Sequence, residues 1–243
     1  NLSHKLCLRE FISMTILAIE TSSQWCSVAI FINDTNYRIK TEVANGSASQ
    51  LILPWVRSLL DELNISLGEI DLVAVSQGPG AFTGIRLGVG VAQGLAESLQ
   101  KPLIPVVSLD AIVAQHLLDK PNFKGDLVVM VDARMNQLYW ARYQVFSSNS
   151  FSRDSDVMLS EPSQIDLQGV DCVLGNGIDQ YKGQFTQAEI NLLSVEVYAN
   201  ALGVAILASR INPGKAYPSE QCQPLYVRDK VAQTIQEREL NKQ

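Results

Sequence analysis

A short apolar run that ends in an acid, turns, and returns as a second strand occurs twice in this chain, and no other feature limits the fold as much. Residues 16–20 (ILAIE) are stopped by Thr21, Ser22 and Ser23, and residues 26–31 (CSVAIF) follow at hairpin distance. Residues 127–132 (LVVMVD) end in Asp132 and a turn, and residues 137–146 (QLYWARYQVF) come back in the same way. A strand, acid, turn, strand unit that recurs within one chain predicts a duplicated α/β unit.

The intervening pattern fits such a unit. Residues 37–43 alternate as a third strand, and between Ser49 and Leu63 the apolar residues Ile52, Val56, Leu59, Leu60 and Leu63 fall three and four apart, the spacing of a helix. Pro54 predicts that this helix starts close to it, since proline suits a first turn. A strand at 72–77, a glycine-rich loop at 78–84, a long helix to Gln100, a strand at 103–107 and a helix at 109–118 complete a first lobe, 14–118. The second lobe, 119–215, is reduced: the two returning strands, a polar loop at 147–155, a strand at 170–174 closed by Gly175, Asn176 and Gly177, and a helix at 197–211 ended by Asn212, Pro213 and Gly214. Residues 216–243 read as a polar, mostly unpatterned tail. Residues 1–13 precede the first periodic segment and read as a vector-derived or upstream extension.

Composition narrows the function. Lys and Arg number 19 against 25 Asp and Glu, a net charge of −6, so the chain lacks the basic footprint of a tight nucleic-acid binder. Nothing approaches the ~20 apolar residues of a membrane span. Of two histidines, His4 lies in the extension, which leaves His116 as the sole candidate for a His-dependent nucleophilic site and excludes a His-based zinc site. Cys7, Cys26, Cys172 and Cys222 show no CxxC spacing and read as reduced thiols of a cytoplasmic protein.

Three features invite a functional reading. The loop GPGAFTG follows a strand and precedes a helix, where backbone N–H groups hold anions; it lacks the Lys-Ser/Thr pair of a Walker loop, and Pro79 removes a donor, so a tight structural turn is the preferred reading over an anion site. The helix after it is apolar nearly all round, with one polar stripe of Arg86, Gln93, Glu97 and Gln100 and two rows of small residues, Gly84, Gly88, Ala92 and Gly90, Gly94, Ser98. The preceding helix has an equally wide apolar arc, flanked by Leu51 and Trp55. Two neighbouring over-apolar helices predict a joint interface made by Leu51, Trp55, Leu59, Gly84, Gly88, Gly90 and Gly94. Glu20, with Thr21 and Ser22, and Asp132 stand at strand ends, where phosphate and Mg²⁺ sites form in α/β folds and where an acid also caps its own turn.

Taken together, MTILAIETS, SQGPGAFTGIRLGVGVAQGLA, VDARMNQLYWARY and PLYVRDKVA resemble the TsaB (YeaZ) family of the actin-like ATPase superfamily, over residues 14 to about 232. The resemblance implies a duplicated actin-like fold and a place in making N6-threonylcarbamoyladenosine on tRNA. It implies as partners a catalytic TsaD-like paralogue, which carries a metal on an HxxxH helix, and a TsaE-like ATPase. At the matching positions this sequence has Leu109 and Val113, and His116 is out of register by three. Glu20 stands where relatives often have Asp. The resemblance therefore implies a non-catalytic subunit with no metal or cofactor of its own, ATP or ADP and metal being held by partners. It meets tRNA indirectly and docks through the helix pair, which also offers a route to a homodimer. The alternative is a free-standing nucleotide phosphohydrolase or kinase using Glu20 and Asp132. A peptidase, an old label in the superfamily, is disfavoured by the lone histidine.

Overall fold

Alternate residues of the first strand point into different cores: Ile16 and Ala18 into one, Leu17 and Ile19 into another. A strand of a sheet covered on both faces has that property. The structure, a computed structural model, describes residues 14–44, 46–191, 193–195, 197–211 and 218–227. The expected extension, the 212–214 stop and residues 228–243 lie outside the described residues.

The first lobe runs β1 (Ile16–Glu20), β2 (Trp25–Asn33), β3 (Asn36–Val43), α1 (Ala48–Leu63), β4 (Leu72–Gly78), α2 (Phe82–Leu99), β5 (Leu103–Val107) and α3 (Ser108–Asp119). The second runs β6 (Gly125–Asp132), β7 (Leu138–Ser147), β8 (Ser150–Arg153), β9 (Met158–Ser160), β10 (Cys172–Leu174), α4 (Gly177–Gln180), α5 (Gln187–Ile190), β11 (Leu193–Val195) and α6 (Ala201–Arg210). The sheets have one topology. The first is ordered β3-β2-β1-β4-β5 and the second, read from its other edge, β8-β7-β6-β10-β11. In each the central strand, β1 or β6, is antiparallel to the strand that follows it in sequence, β2 or β7, and parallel to its other neighbour, β4 or β10, with a further parallel pair beyond, β4 with β5 and β10 with β11. That equivalence establishes the duplicated α/β fold, and among the described residues the second lobe has no counterpart of α1.

Helices α1 and α2 cover one face of the first sheet, with Ile52, Val56, Ile85, Val89 and Ala92 buried on Leu17, Val28 and Val75. Its other face packs on α3 and α6, which also meet Leu127, Val129 and Tyr143 of the second sheet. Val128, Met130 and Leu138 face away into a third, smaller core. Gly203 of α6 lies against the Ala111 carbonyl of α3, so close that a Cβ there would collide with it. Asp110 on α3 accepts hydrogen bonds from Arg153 Nη1 at 2.8 Å and the Tyr143 hydroxyl at 2.7 Å, an ionic tie to the second sheet.

Several expectations change. Pro54 sits inside α1, not at its start; it and Gln50, whose carbonyl loses its partner, are both on the exposed side, where water can replace the bond. Part of the polar loop 147–155 is β8, paired with β7. The last helix begins at Ala201, because the Asn200 side chain accepts from the Leu202 and Gly203 N–H groups and caps it there.

Candidate functional site

The glycine-rich loop is packed onto the first hairpin. The Ala81 N–H donates to the Ser22 carbonyl at 2.6 Å, the Thr21 hydroxyl donates to the Gly84 carbonyl at 2.7 Å, and the Ser108 hydroxyl donates to the Pro79 carbonyl at 2.7 Å. A Cβ on Gly84 would collide with the Thr21 carbonyl, and one on Gly88 with the Thr21 hydroxyl. Gly84 and Gly88 thus serve the chain's own interior, which corrects their assignment to a partner interface. Of the two readings of the loop, the tight structural turn is the one its bonds describe.

Glu20, Thr21 and Ser22 are buried beneath this loop. Glu20 Oε1 accepts the Ser22 N–H, while Oε2 and the neighbouring Ser76 Oγ are buried without a hydrogen bond. Burial pushes the Glu20 carboxyl above the usual range, with the hydrogen bond from Ser22 drawing it partly back. Asp132 repeats the arrangement: Oδ1 accepts the Arg134 N–H at 2.8 Å, again two residues on, and the Tyr181 hydroxyl at 2.7 Å. Both acids therefore hold their own turns. Among the described residues no hydrogen bond or ion pair joins them, and no three His, Cys, Asp or Glu side chains converge as a metal site. Leu109 and Val113 are fully buried on α3 between the sheets, and His116 is buried with its ring edge-on to Phe123 at 5.5 Å.

The outer surface of α1 and α2 differs. Leu59 points into the sheet and is fully buried, so it belongs to the core and not to a surface. Leu51 and Trp55 are half-buried at the flank, and Leu53 is 54% exposed. On α2, Gly90 and Gly94 are exposed, and a Cβ on either would meet nothing within 4 Å. The half-buried Leu87, Val91 and Leu95 border them. A protein helix lying there could approach to backbone distance.

The tail supplies what sequence reasoning missed. Residues 218–227 run along α2 as a strap, with Cys222 buried in the core. Gln93 Nε2 donates to the Ser219 and Cys222 carbonyls, both at 2.9 Å; the Ser219 hydroxyl bonds Glu97 at 2.9 Å; and the Leu225 N–H donates to the Gln77 carbonyl at 2.7 Å. Arg86 Nε donates to the Tyr226 hydroxyl at 2.7 Å, with its guanidinium 3.7 Å from the Phe82 ring centre. The trace lies on α2 and not on the strap itself: three of the four residues of the polar stripe, Arg86, Gln93 and Glu97, are those that hold it.

Comparison with known proteins agrees with this architecture. The family model of TsaD, tRNA N6-adenosine threonylcarbamoyltransferase, matches residues 36–236. The chain is 32% identical over 226 residues to the tRNA threonylcarbamoyladenosine biosynthesis protein TsaB of Escherichia coli, covering 90% of this chain and 96% of the relative. YeaZ from Pseudomonas aeruginosa superposes with a TM-score of 0.75 at 29% identity, over 88% of this chain and 99% of that one. A second P. aeruginosa structure, of a protein described as similar to the peptidase YeaZ, gives 0.76 at 30% identity over 88% and 100%.

Proposed function

Since the chain belongs to the TsaB (YeaZ) family, we propose that it acts in forming N6-threonylcarbamoyladenosine on tRNA as a non-catalytic subunit, docking a TsaD-like catalytic paralogue on the outer face of α1 and α2. The observation that carries this reading is the outward pair Gly90 and Gly94. Each interior helix glycine costs about 0.8–1 kcal/mol relative to alanine, and none of the described residues uses the space they leave. A partner helix would.

The remaining parts of the reading follow from residue chemistry. Leu109 and Val113 cannot ligate a metal, so metal and ATP or ADP belong to the TsaD-like partner and a TsaE-like ATPase. A net charge of −6 leaves the capture of tRNA to those partners. Without them, the same helix face would pair two copies of this chain.

The test is Gly94→Leu in the full chain. It should abolish or weaken the complex with the TsaD-like partner by about 2–4 kcal/mol, as central interface residues do, while melting stays near that of the parent. Trp55→Ala should weaken it as well. A well-folded Gly94→Leu protein with unchanged affinity would overturn the proposed surface.

A further inference from the structure

The geometry points to a specific element of partner recognition: we propose that Arg86, held over the Phe82 ring and bonded to Tyr226, is the docking point for a carboxylate on the partner helix that lies over Gly90 and Gly94. This rests on the reading above and deepens it.

Arg86 is one turn of helix before Gly90 on the exposed side of α2. Its guanidinium is oriented twice over, by the Phe82 ring at 3.7 Å and by the bond from Nε to the Tyr226 hydroxyl; the two rings themselves lie 5.6 Å apart. Those restraints use Nε and one face. Among the described residues the two terminal nitrogens carry no hydrogen bond, and Arg86 has no ion pair, although Glu220 lines the same groove. A planar fork with its side-chain entropy already spent is what bidentate recognition of a carboxylate requires.

The surroundings favour a protein occupant. Between α2 and the strap runs a groove of about 270 Å³ with Gly90 on its wall, continuous with the Gly90–Gly94 face, and Pro224 and Tyr226 opposite. Phe82 is 38% exposed and Tyr226 46%. Exposed Tyr, Phe and Arg beside a close-approach surface is the composition of an interface centre. A helix laid on the two glycines would carry an acidic side chain to Arg86, opposite in charge to the one cation among the described residues of the groove. On a chain of net charge −6, such a cation also opposes the general repulsion of acidic surfaces.

The test measures affinity of the full chain for its TsaD-like partner at several salt concentrations. Arg86→Ala should reduce affinity about tenfold at low salt and flatten its salt dependence, the behaviour of a lost charge pair. Arg86→Lys should restore only part, because an ammonium lacks the fork. Tyr226→Phe, which keeps the ring and loses the hydroxyl, should give a smaller loss of the same sign. A role limited to holding the strap would lower affinity without altering the salt slope, and that result, or unchanged affinity in Arg86→Ala, overturns the inference. If Gly94→Leu still abolishes the complex in that case, the docking surface stands and only the carboxylate contact fails. If neither variant acts, both fail.

Discussion

The Thr21 hydroxyl donates to the carbonyl of Gly84 at 2.7 Å, and the carbonyl of Thr21 fills the space where a Gly84 side chain would begin. The end of the first strand and the first turn of α2 are thereby fitted backbone to backbone. Glycine at 84 is a packing requirement, and it separates two kinds of glycine on one helix.

Gly84→Ala should destabilise the chain by about 2–3 kcal/mol, the range of overpacking against atoms that cannot withdraw. Gly90→Ala, which enters open space on an exposed helix position, should stabilise it by up to about 1 kcal/mol through helix propensity. Chemical denaturation of the two variants measures both signs.

Glu20 gives a pH dependence. Its folded carboxyl is held above the ordinary value by burial, so the folded state keeps a proton that the unfolded state releases. Stability from this group is full below the unfolded pKa and falls as pH rises from there through the folded one. Glu20→Gln can accept from the Ser22 N–H, donate towards Ser76 and never ionises. It should therefore be at least as stable as the parent at neutral pH, with the advantage vanishing in acid, when melting is followed across pH.

Removing Asp110 should loosen the join between α3 and the second sheet. Asp110→Ala leaves the Arg153 guanidinium and the Tyr143 hydroxyl without their acceptor. The cost should be about 2 kcal/mol in equilibrium unfolding, less than a fully buried pair because roughly a quarter of each charged side chain meets solvent. Binding at α1 and α2 should not change.

Cys26, Cys172 and Cys222 are all buried, and burial pushes each thiol up to about 11. Alkylation at neutral pH should spare these three in the native chain and label them after denaturation. Rapid native labelling of Cys222 would show that the strap detaches.

Much of the fold was legible before any coordinates. Period-two runs such as ILAIE and LVVMVD mark strands, and the recurrence of acid and turn marks the duplication that the two sheet orders bear out. The helices over 49–63 and 84–100 were legible from their apolar spacing. The strap was not, because a segment held mainly by backbone carbonyls and amides, at Ser219, Cys222 and Leu225, leaves no periodic trace in its own residues.

What the sequence determined by itself was the angular position of every residue on each helix and the alternation along each strand, since both follow from local backbone geometry. On α2 that information does not reveal which side meets the sheet, because apolar or small residues surround nearly the whole helix. Tertiary contact decided it: Gly84 and Gly88 turn to Thr21 and the interior, and Gly90 and Gly94 turn to open space. The same holds for α6, which follows the second sheet in sequence yet packs on the first sheet and α3. A hydrophobic face requires burial but does not name its partner, and only the assembled layers supply one.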